Sequence, residues 1–501
     1  MNAARQVRLL CLLLGAALLA VSPFTAIAAT PDPYAAIKAD IGREIAAGRL
    51  TGVSIAVVKD GRIVHEDGFG WADREARTPA TPHSAFSIAS STKPFTTTAL
   101  MVLAADGKVD LDRPANDYLG EKLVDADGPA REATLRRIAT HSAGLPTFFA
   151  MYPEDGPARQ PSIATLIGEY GHLIAPVGER YEYSNLGMGL LAEVVARQSQ
   201  QEYGAFLQSR VLVPLGMRNS FFDTDLARRK EMAARYADDG KRLPFYLTAT
   251  PGSGELYASA HDMARFAMLH LGGQGLPRSA MILDQARLAE LHRPQTFVAP
   301  HFHYGMGWQI HDAPGRAPVL YHGGGQSGVK AEFVLVPSAN VAVIVLSNQR
   351  GPSNFINDVR DRLLKTVVPD WSTLPPPPAV QPIPLKGIAA YRGRWMGTLL
   401  AQGKHVPVVL AIAEDGTGTL SVGEGPARKI DDLGLVDGVL SGDSHGNVDS
   451  PDIRREGLEQ LSLGLKLRGD TIDGEIVAWT KSSEHMAMYP FWTVLKRAPR
   501  P

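Results

Sequence analysis

Apolar residues at Tyr34, Ile37, Ile41 and Ile45 recur at helical spacing and stop at Gly48, which predicts an amphipathic helix. Residues 53–58 and 62–68 are β-prone runs separated by Asp60-Gly61, a hairpin signal. From about Ser90 to Leu271 the pattern is mainly helical, as at Leu190-Leu191, Val194-Val195 and Phe206-Leu207. Strand patterns return at 304–310 and 331–336, and residues 341–346 are continuously apolar, as expected of a strand covered on both faces. Phe355, Val359, Leu363 and Val367 predict a closing helix. Sheet-forming segments from both ends flank a helical block. The expected fold is α+β: a mostly antiparallel sheet flanked by helices, with a helical lobe inserted into it.

Past residue 370 the pattern changes. Pro375-Pro376-Pro377-Pro378, with Pro382 and Pro384, predicts a stiff extended linker. Short β-prone runs at 406–412, 418–422, 461–467 and 472–478 then alternate with Asp415-Gly416, Asp437-Gly438, Gly469-Asp470 and Asp473-Gly474. Turn signals at this spacing predict a small antiparallel β-barrel, starting near Gly387 and folding as a separate unit. At the other end, Arg5 and Arg8 precede an apolar stretch to about Val21, too short to span a membrane comfortably. Ala26-Ile27-Ala28 places small residues where a signal peptidase reads them. The expected division is 1–28 secretion signal, 29–372 main domain, 373–386 linker and 387–501 barrel. Cleavage is expected after Ala28, with Ala29 the alternative. The product is exported, periplasmic or secreted, with no stable membrane insertion after cleavage.

Composition narrows the classes. A 45% hydrophobic and 21% charged chain excludes global disorder, and 51 basic against 52 acidic residues gives no surplus for nucleic acid. The single cysteine, Cys11, lies inside the signal. The mature chain therefore has no disulfide, thiol nucleophile or thiolate metal site.

Three segments carry chemistry. Ser90-Ser91-Thr92-Lys93 contains Ser-x-x-Lys; at a helix start, Lys93 lies one turn from Ser90 on the same face. A buried lysine loses proton affinity and can serve as the base for such a serine. Tyr183-Ser184-Asn185, in an extended loop, would aim Tyr183 and Asn185 into one cleft. The phenol can relay a proton, and the amide can orient Lys93 and substrate. Tyr321-His322-Gly323-Gly324-Gly325 is a glycine-rich strand edge against which substrate backbone can lie. Its N–H groups can complete an oxyanion hole with that of Ser90.

In this order the three segments resemble the motifs of the penicillin-recognising serine hydrolases, on the class C β-lactamase branch with its DD-peptidases, D-aminopeptidases and esterases. Ser90–Lys93 resembles the first motif, Tyr183–Asn185 the second, and His322-Gly323-Gly324 the third in its His-x-Gly variant. Residues 140–146, 213–217, 304–308 and 346–348 carry further resemblance, which spans roughly 35–370. The start of the tail, Tyr391-Arg392-Gly393-Arg394-Trp395-Met396-Gly397, resembles the lipocalin-like barrel appended to some family peptidases. The resemblance implies that Ser90 attacks the carbonyl and Lys93 takes or shuttles its proton. It implies Tyr183 as general base and then acid, Asn185 as positioner, and His322 as assistant to Tyr183 and to binding. The N–H groups of Ser90 and Gly325 would form the oxyanion hole. No metal or organic cofactor is implied. The expected activity is hydrolysis of an amide or ester through an acyl-enzyme on Ser90, on a small peptide, D-residue-containing or cell-wall derived, or a short acyl ester. A non-turnover β-lactam or peptidoglycan-binding sensor is the alternative, and a true class C-like β-lactamase a further one. His-x-Gly in place of Lys-Thr-Gly weighs against the last.

Other candidates read as structural. His141-Ser142 are adjacent and rarely face each other; Ser327-x-x-Lys330 sits in strand-like chain, where residues three apart diverge. His301-x-His303 lacks a carboxylate or cysteine in pattern and reads as a polar loop. Gly442-Asp443-Ser444-His445-Gly446 matches a nucleophile elbow but sits in the turn-rich tail with no helix pattern after it, and reads as a polar loop.

Overall fold

A computed structural model describes residues 32–123, 129–154, 159–373, 381–386, 388–482 and 484–499. The expected secretion signal with Cys11 and its expected cleavage point at Ala28, Pro375 to Pro378, and Gly387 lie outside them. The helix Ala35–Ala46 buries Ile37 and Ile41, and Gly48 follows at φ +71°. The strands Gly52–Lys59 and Arg62–Asp73 pair across Asp60-Gly61, both at positive φ, as a two-residue hairpin turn requires.

The main sheet has ten antiparallel strands, and its centre joins the two ends of the domain: Gly52–Lys59 lies beside Val341–Ser347, with Val53 opposite Ser347. Val341–Ser347 is buried throughout, as its unbroken apolar run predicts. Val343 and Val345 pack with Ile356 and Val359 of the helix Phe355–Val367. Ile344 and Leu346 face the opposite way, into the cluster that holds Phe266 of the helix Ala260–His270. Alternate residues of one strand thus serve two cores. The expected strand at 304–310 is two strands, Phe302–Tyr304 and Gln309–His311, paired about a turn. Gly307 in that turn has φ +76°, and a Cβ there would lie 2.4 Å from the Thr97 hydroxyl and 3.0 Å from the Lys93 carbonyl oxygen. The turn therefore packs directly on the helix Lys93–Ala105.

The tail is a curled ten-stranded antiparallel sheet, a half-barrel. Its edges are Ile383–Pro384 and Arg428–Lys429. Among the described residues no ladder joins them; the Ser444 hydroxyl donates to the Lys429 carbonyl at 2.9 Å instead. Gly442 to His445 belong to the strand Val439–His445 rather than to a loop, and the short helix Pro451–Glu456 follows at a distance, so no nucleophile elbow forms. Ile383–Pro384, inside the expected linker, pair with Leu435 and Gly434, and Leu385 is buried in the tail core. The tail sheet therefore takes in the end of the proline-rich segment.

Nor is the tail packed by itself. Its core, with Trp395, Leu465 and Tyr489, is continuous with Phe148, Tyr170 and Leu186 of the main domain. Phe149 and Met488 exchange both backbone hydrogen bonds, at 3.0 and 2.8 Å. Lys466 and Arg468 of the tail pair with Glu179 at 2.7 and 2.8 Å. Among the described residues no helix is long and apolar enough to cross a membrane.

Candidate active site

Ala89 stands at φ +46°, a left-handed conformation uncommon outside glycine, and marks a strained approach to the nucleophile. A 3₁₀ turn, Ala89–Thr92, then runs into the helix Lys93–Ala105, with Pro94 in its first turn where the missing N–H is harmless. Ser90 is half-buried and Lys93 fully buried. The Ser-x-x-Lys spacing brings the Lys93 Nζ to 3.1 Å from the Ser90 Oγ.

Asn185 is not in an extended loop but is the first residue of the helix Asn185–Ser199. The Ser184 side chain caps that helix, accepting from the Gly187 N–H at 2.8 Å and donating to the Pro146 carbonyl at 2.7 Å. The backbone N–H of Ser184 donates to His141 Nδ1 at 3.1 Å. Residues 140–146 thus hold the second motif in place. Tyr183 and Asn185 do converge: the Tyr183 hydroxyl donates to Ser90 Oγ at 2.9 Å, and Asn185 Oδ1 accepts from Lys93 at 2.8 Å.

A third partner was not visible in the sequence. Lys93 Nζ also donates to the backbone carbonyl of Ser253 at 2.9 Å. Two of the three acceptors around Lys93 are carbonyl oxygens that can only accept. When the amine is neutral, its two N–H bonds go to Asn185 and Ser253 and its lone pair is left facing Ser90 Oγ. Burial pushes the Lys93 ammonium down to about 7, while the Glu255 carboxylate pulls upward. Glu255 is itself buried and accepts from the Gly252 N–H and, at 2.9 Å, the Gly254 N–H. Burial pushes the Tyr183 phenol up, with the Ser90 contact opposing, so Tyr183 is a protonated donor at rest.

His322 is buried, but its partners are not Tyr183. Its Nδ1 donates to the Gly323 carbonyl at 2.9 Å, and its Nε2 accepts from the Tyr304 hydroxyl at 3.1 Å. Burial, with Lys93 adding, pushes His322 down to about 3, so it is neutral across the working range. The expected assistance to Tyr183 runs through no direct hydrogen bond among the described residues. Gly324 must be glycine: a Cβ there would lie 2.0 Å from the Ile88 carbonyl oxygen. That contact seats the strand Gly324–Gln326 against the segment leading to Ser90. Gly325 is exposed, lies opposite Lys330, and faces open space.

His141 is a buried support that motif reading set aside. Its ring lies 4.6 Å from that of Tyr183 and 4.7 Å from that of Tyr304. Because Nδ1 accepts from Ser184, Nε2 carries the proton, and it has no partner among the described residues. Burial first, then Lys93 and His322, hold this imidazole neutral. Of the other candidates, Lys330 pairs with Glu332 at 2.6 Å and not with Ser327. His303 meets Asp312 at 3.2 Å, with His301 at 4.0 Å, so a carboxylate does stand by this pair, brought in by the hairpin.

From the tail, Glu475 is buried near Arg180 and Glu182, beside Tyr183 in the chain. Burial, with Glu182 adding, pushes Glu475 up to about 8, and its Oε2 has no partner among the described residues.

A sequence model of the family described as Beta-lactamase matches residues 37–366. Protein flp of Staphylococcus aureus (strain MW2) is 24% identical over 329 residues, 64% of this chain and 64% of its own length. This chain therefore spans less than two thirds of that relative's length. The crystal structure of SurE with D-Leu superposes with a TM-score of 0.62 at 20% identity, covering 91% of this chain and 99% of that one. A D-alanine carboxypeptidase AmpC from Burkholderia cenocepacia gives a TM-score of 0.56 at 19% identity, covering 67% of this chain and 99% of its own. These structural likenesses carry the fold; the larger one takes in most of the tail as well.

Proposed function

This chain belongs to the beta-lactamase family of serine hydrolases, and on that premise we propose that Ser90 forms an acyl-enzyme with the carbonyl of an amide or ester. The observation that carries the proposal is the Ser90 Oγ held between Lys93 Nζ at 3.1 Å and the Tyr183 hydroxyl at 2.9 Å. Ser90 attacks the carbonyl carbon as its proton passes to the lone pair of Lys93. Lys93, rather than Tyr183, is the first base, because Tyr183 already donates to the same oxygen. The developing oxyanion is received by the N–H groups of Ser90 and Gly325. When the carbonyl–leaving-group bond breaks, Tyr183 gives the leaving group its proton and is resupplied from Lys93. Water then attacks the ester on Ser90 by the same route in reverse, releasing the acid and restoring the hydroxyl.

His322 and His141 are neutral, so Lys93 is the cation at this centre, and its charge is tied to proton transfer. That favours a neutral ester, or a peptide whose carboxylate lies away from the scissile bond, over a β-lactam. A D-configured residue is supported by the D-Leu bound to SurE and by the D-alanine carboxypeptidase. Export to the periplasm or medium is part of the proposal and rests on residues 1–28.

The test is parallel turnover of p-nitrophenyl esters, D-amino-acid anilides, D-Ala-D-Ala peptides and nitrocefin by chain lacking residues 1–28. Steady turnover of an ester or D-peptide, lost in Ser90→Ala along with a fluorophosphonate adduct on Ser90, supports it. A stoichiometric burst without steady turnover would make the protein a sensor, and nitrocefin as the best substrate would make it a β-lactamase.

A further inference from the structure

Glu66, His83 and His261 come from a strand, a loop and the first turn of a helix, and their ligand atoms all lie within 4.8 Å of one another. Glu66 Oε2 and His261 Nδ1 are 2.8 Å apart. The His83 ring lies beside that of His261, centroids 4.6 Å apart. A simple ion pair would need only Glu66 and His261; the second imidazole completes a two-nitrogen, one-oxygen set. The loop carrying His83 is fixed by the His261 N–H on the Pro82 carbonyl at 3.1 Å and by the Ser54 hydroxyl on the Thr81 carbonyl at 2.7 Å. Within it the Thr81 N–H donates to Ser84 Oγ at 2.9 Å, and the His83 N–H to Thr81 Oγ1 at 3.2 Å. The backbone of the loop is thus set before any ligand arrives.

We propose that Glu66, His83 and His261 hold a divalent transition ion of the zinc class, with water in the fourth position. The ion acts as a staple and takes no part in the reaction. The two histidines flank a short ladder in which Phe86 faces Ala258 and Ser87 faces Tyr257. His83 precedes Phe86 and His261 follows Ala258. At the other end of the ladder, Ser87 leads to Ser90, and Tyr257 is preceded by Glu255 and Ser253. An ion on the three side chains therefore cross-links the two segments that supply the nucleophile and the carbonyl holding Lys93. Sequence reading found no such set because the three residues belong to distant parts of the chain.

The experiment uses the full chain without a polyhistidine tag. Zinc content after equilibrium dialysis and the thermal midpoint with and without zinc are compared for the wild type, Glu66→Gln, His83→Ala and His303→Ala. His303→Ala removes the competing pair at Asp312. The expected result is about one zinc per chain in the wild type and in His303→Ala, with a raised midpoint. Removing an outer-shell partner alone weakens a metal by ~10–100-fold, so loss of a ligand in Glu66→Gln or His83→Ala should weaken zinc at least that much and abolish the rise. Labelling of Ser90 should persist after chelation in every variant. Zinc uptake unchanged by Glu66→Gln and His83→Ala, uptake lost in His303→Ala, or no stoichiometric uptake at all would overturn the proposal.

Discussion

The Tyr170 hydroxyl donates a 2.6 Å hydrogen bond to the Asp452 carboxylate, tying the helix Ile163–Tyr170 of the main domain to the helix Pro451–Glu456 of the tail. Burial and the adjacent Asp452 both push this phenol well up, so it remains a donor at any working pH.

That link makes the tail part of the domain's stability. A chain ending at residue 379 would expose Phe148, Tyr170 and Leu186, which the tail core covers. It should express poorly and melt lower than the full chain in a thermal scan. Tyr170→Phe should destabilise by ~1–3 kcal/mol, since a hydrogen bond to a charged group is lost while Asp452 keeps Gln402 at 2.8 Å and Arg455 at 2.6 Å. A truncated chain as stable as the parent would show the tail to be independent after all.

The pH profile should report Lys93. Its neutral form is the base, so kcat/KM for a neutral ester should rise through about 7. Glu255 holds this ammonium up, so Glu255→Gln should move the rising limb to lower pH by ~1 unit. A limb that stays in place in the variant would remove Glu255 from the circuit.

Selectivity should be indifferent to pH. His322 at about 3 acquires no charge between pH 6 and 8.5. Nitrocefin hydrolysis should be poor throughout, and because both substrates need neutral Lys93, the ratio of its kcat/KM to that of the ester should hold within ~2-fold over that range. A ratio that falls as pH rises would reveal a titrating imidazole and return the site to a histidine of ordinary affinity.

Glu475 should impose a pH slope on stability. The folded chain keeps its proton up to about 8, whereas an ordinary glutamate releases it at 4.5. Stability tied to this group is full below about 4.5 and is lost as pH rises toward 8. Relative to wild type, Glu475→Gln should therefore gain ~1–4 kcal/mol between pH 5 and 8.5 in denaturant titrations. Parallel curves for the two proteins would place the carboxylate elsewhere than against Arg180 and Glu182.

What the sequence discloses here is what is local. Ser90 and Lys93 share one helical turn, and Tyr183 and Asn185 lie two positions apart, so composition and spacing suffice to name them. The third partner of Lys93 is a backbone carbonyl at Ser253, which any residue type would supply, and no pattern marks it. Glu255 and Tyr304 act across the fold, and in the sequence they look like any acidic residue of a helical block and any aromatic residue of a β-prone run. The alternation of Val343 and Ile344 announces a two-faced strand but not which helix meets each face. For the same reason β-prone runs and turn pairs disclose a sheet-forming tail, whereas its ten strands, its open edges and its packing against Phe148 and Tyr170 are set by tertiary contacts. The Pro382–Pro384 region was read by composition as linker, yet Ile383 pairs in the sheet, because proline is tolerated on an edge strand.

The centre of the main sheet also sets a timetable. The Thr51 hydroxyl donates to the Gln349 side chain at 2.8 Å across a separation of 298 residues. At synthesis rates of about 5–20 residues per second, roughly 15–60 s pass between the ribosomal exit of one partner and that of the other. Through that interval the hairpin of Gly52–Lys59 and Arg62–Asp73 waits with one edge unmatched, and Ser90, though already made, has no finished sheet behind it. The enzyme cannot assemble its reactive centre on a partial chain. The strand Val341–Ser347, which completes the centre of the sheet beside Gly52–Lys59, is therefore among the last parts of the domain to arrive.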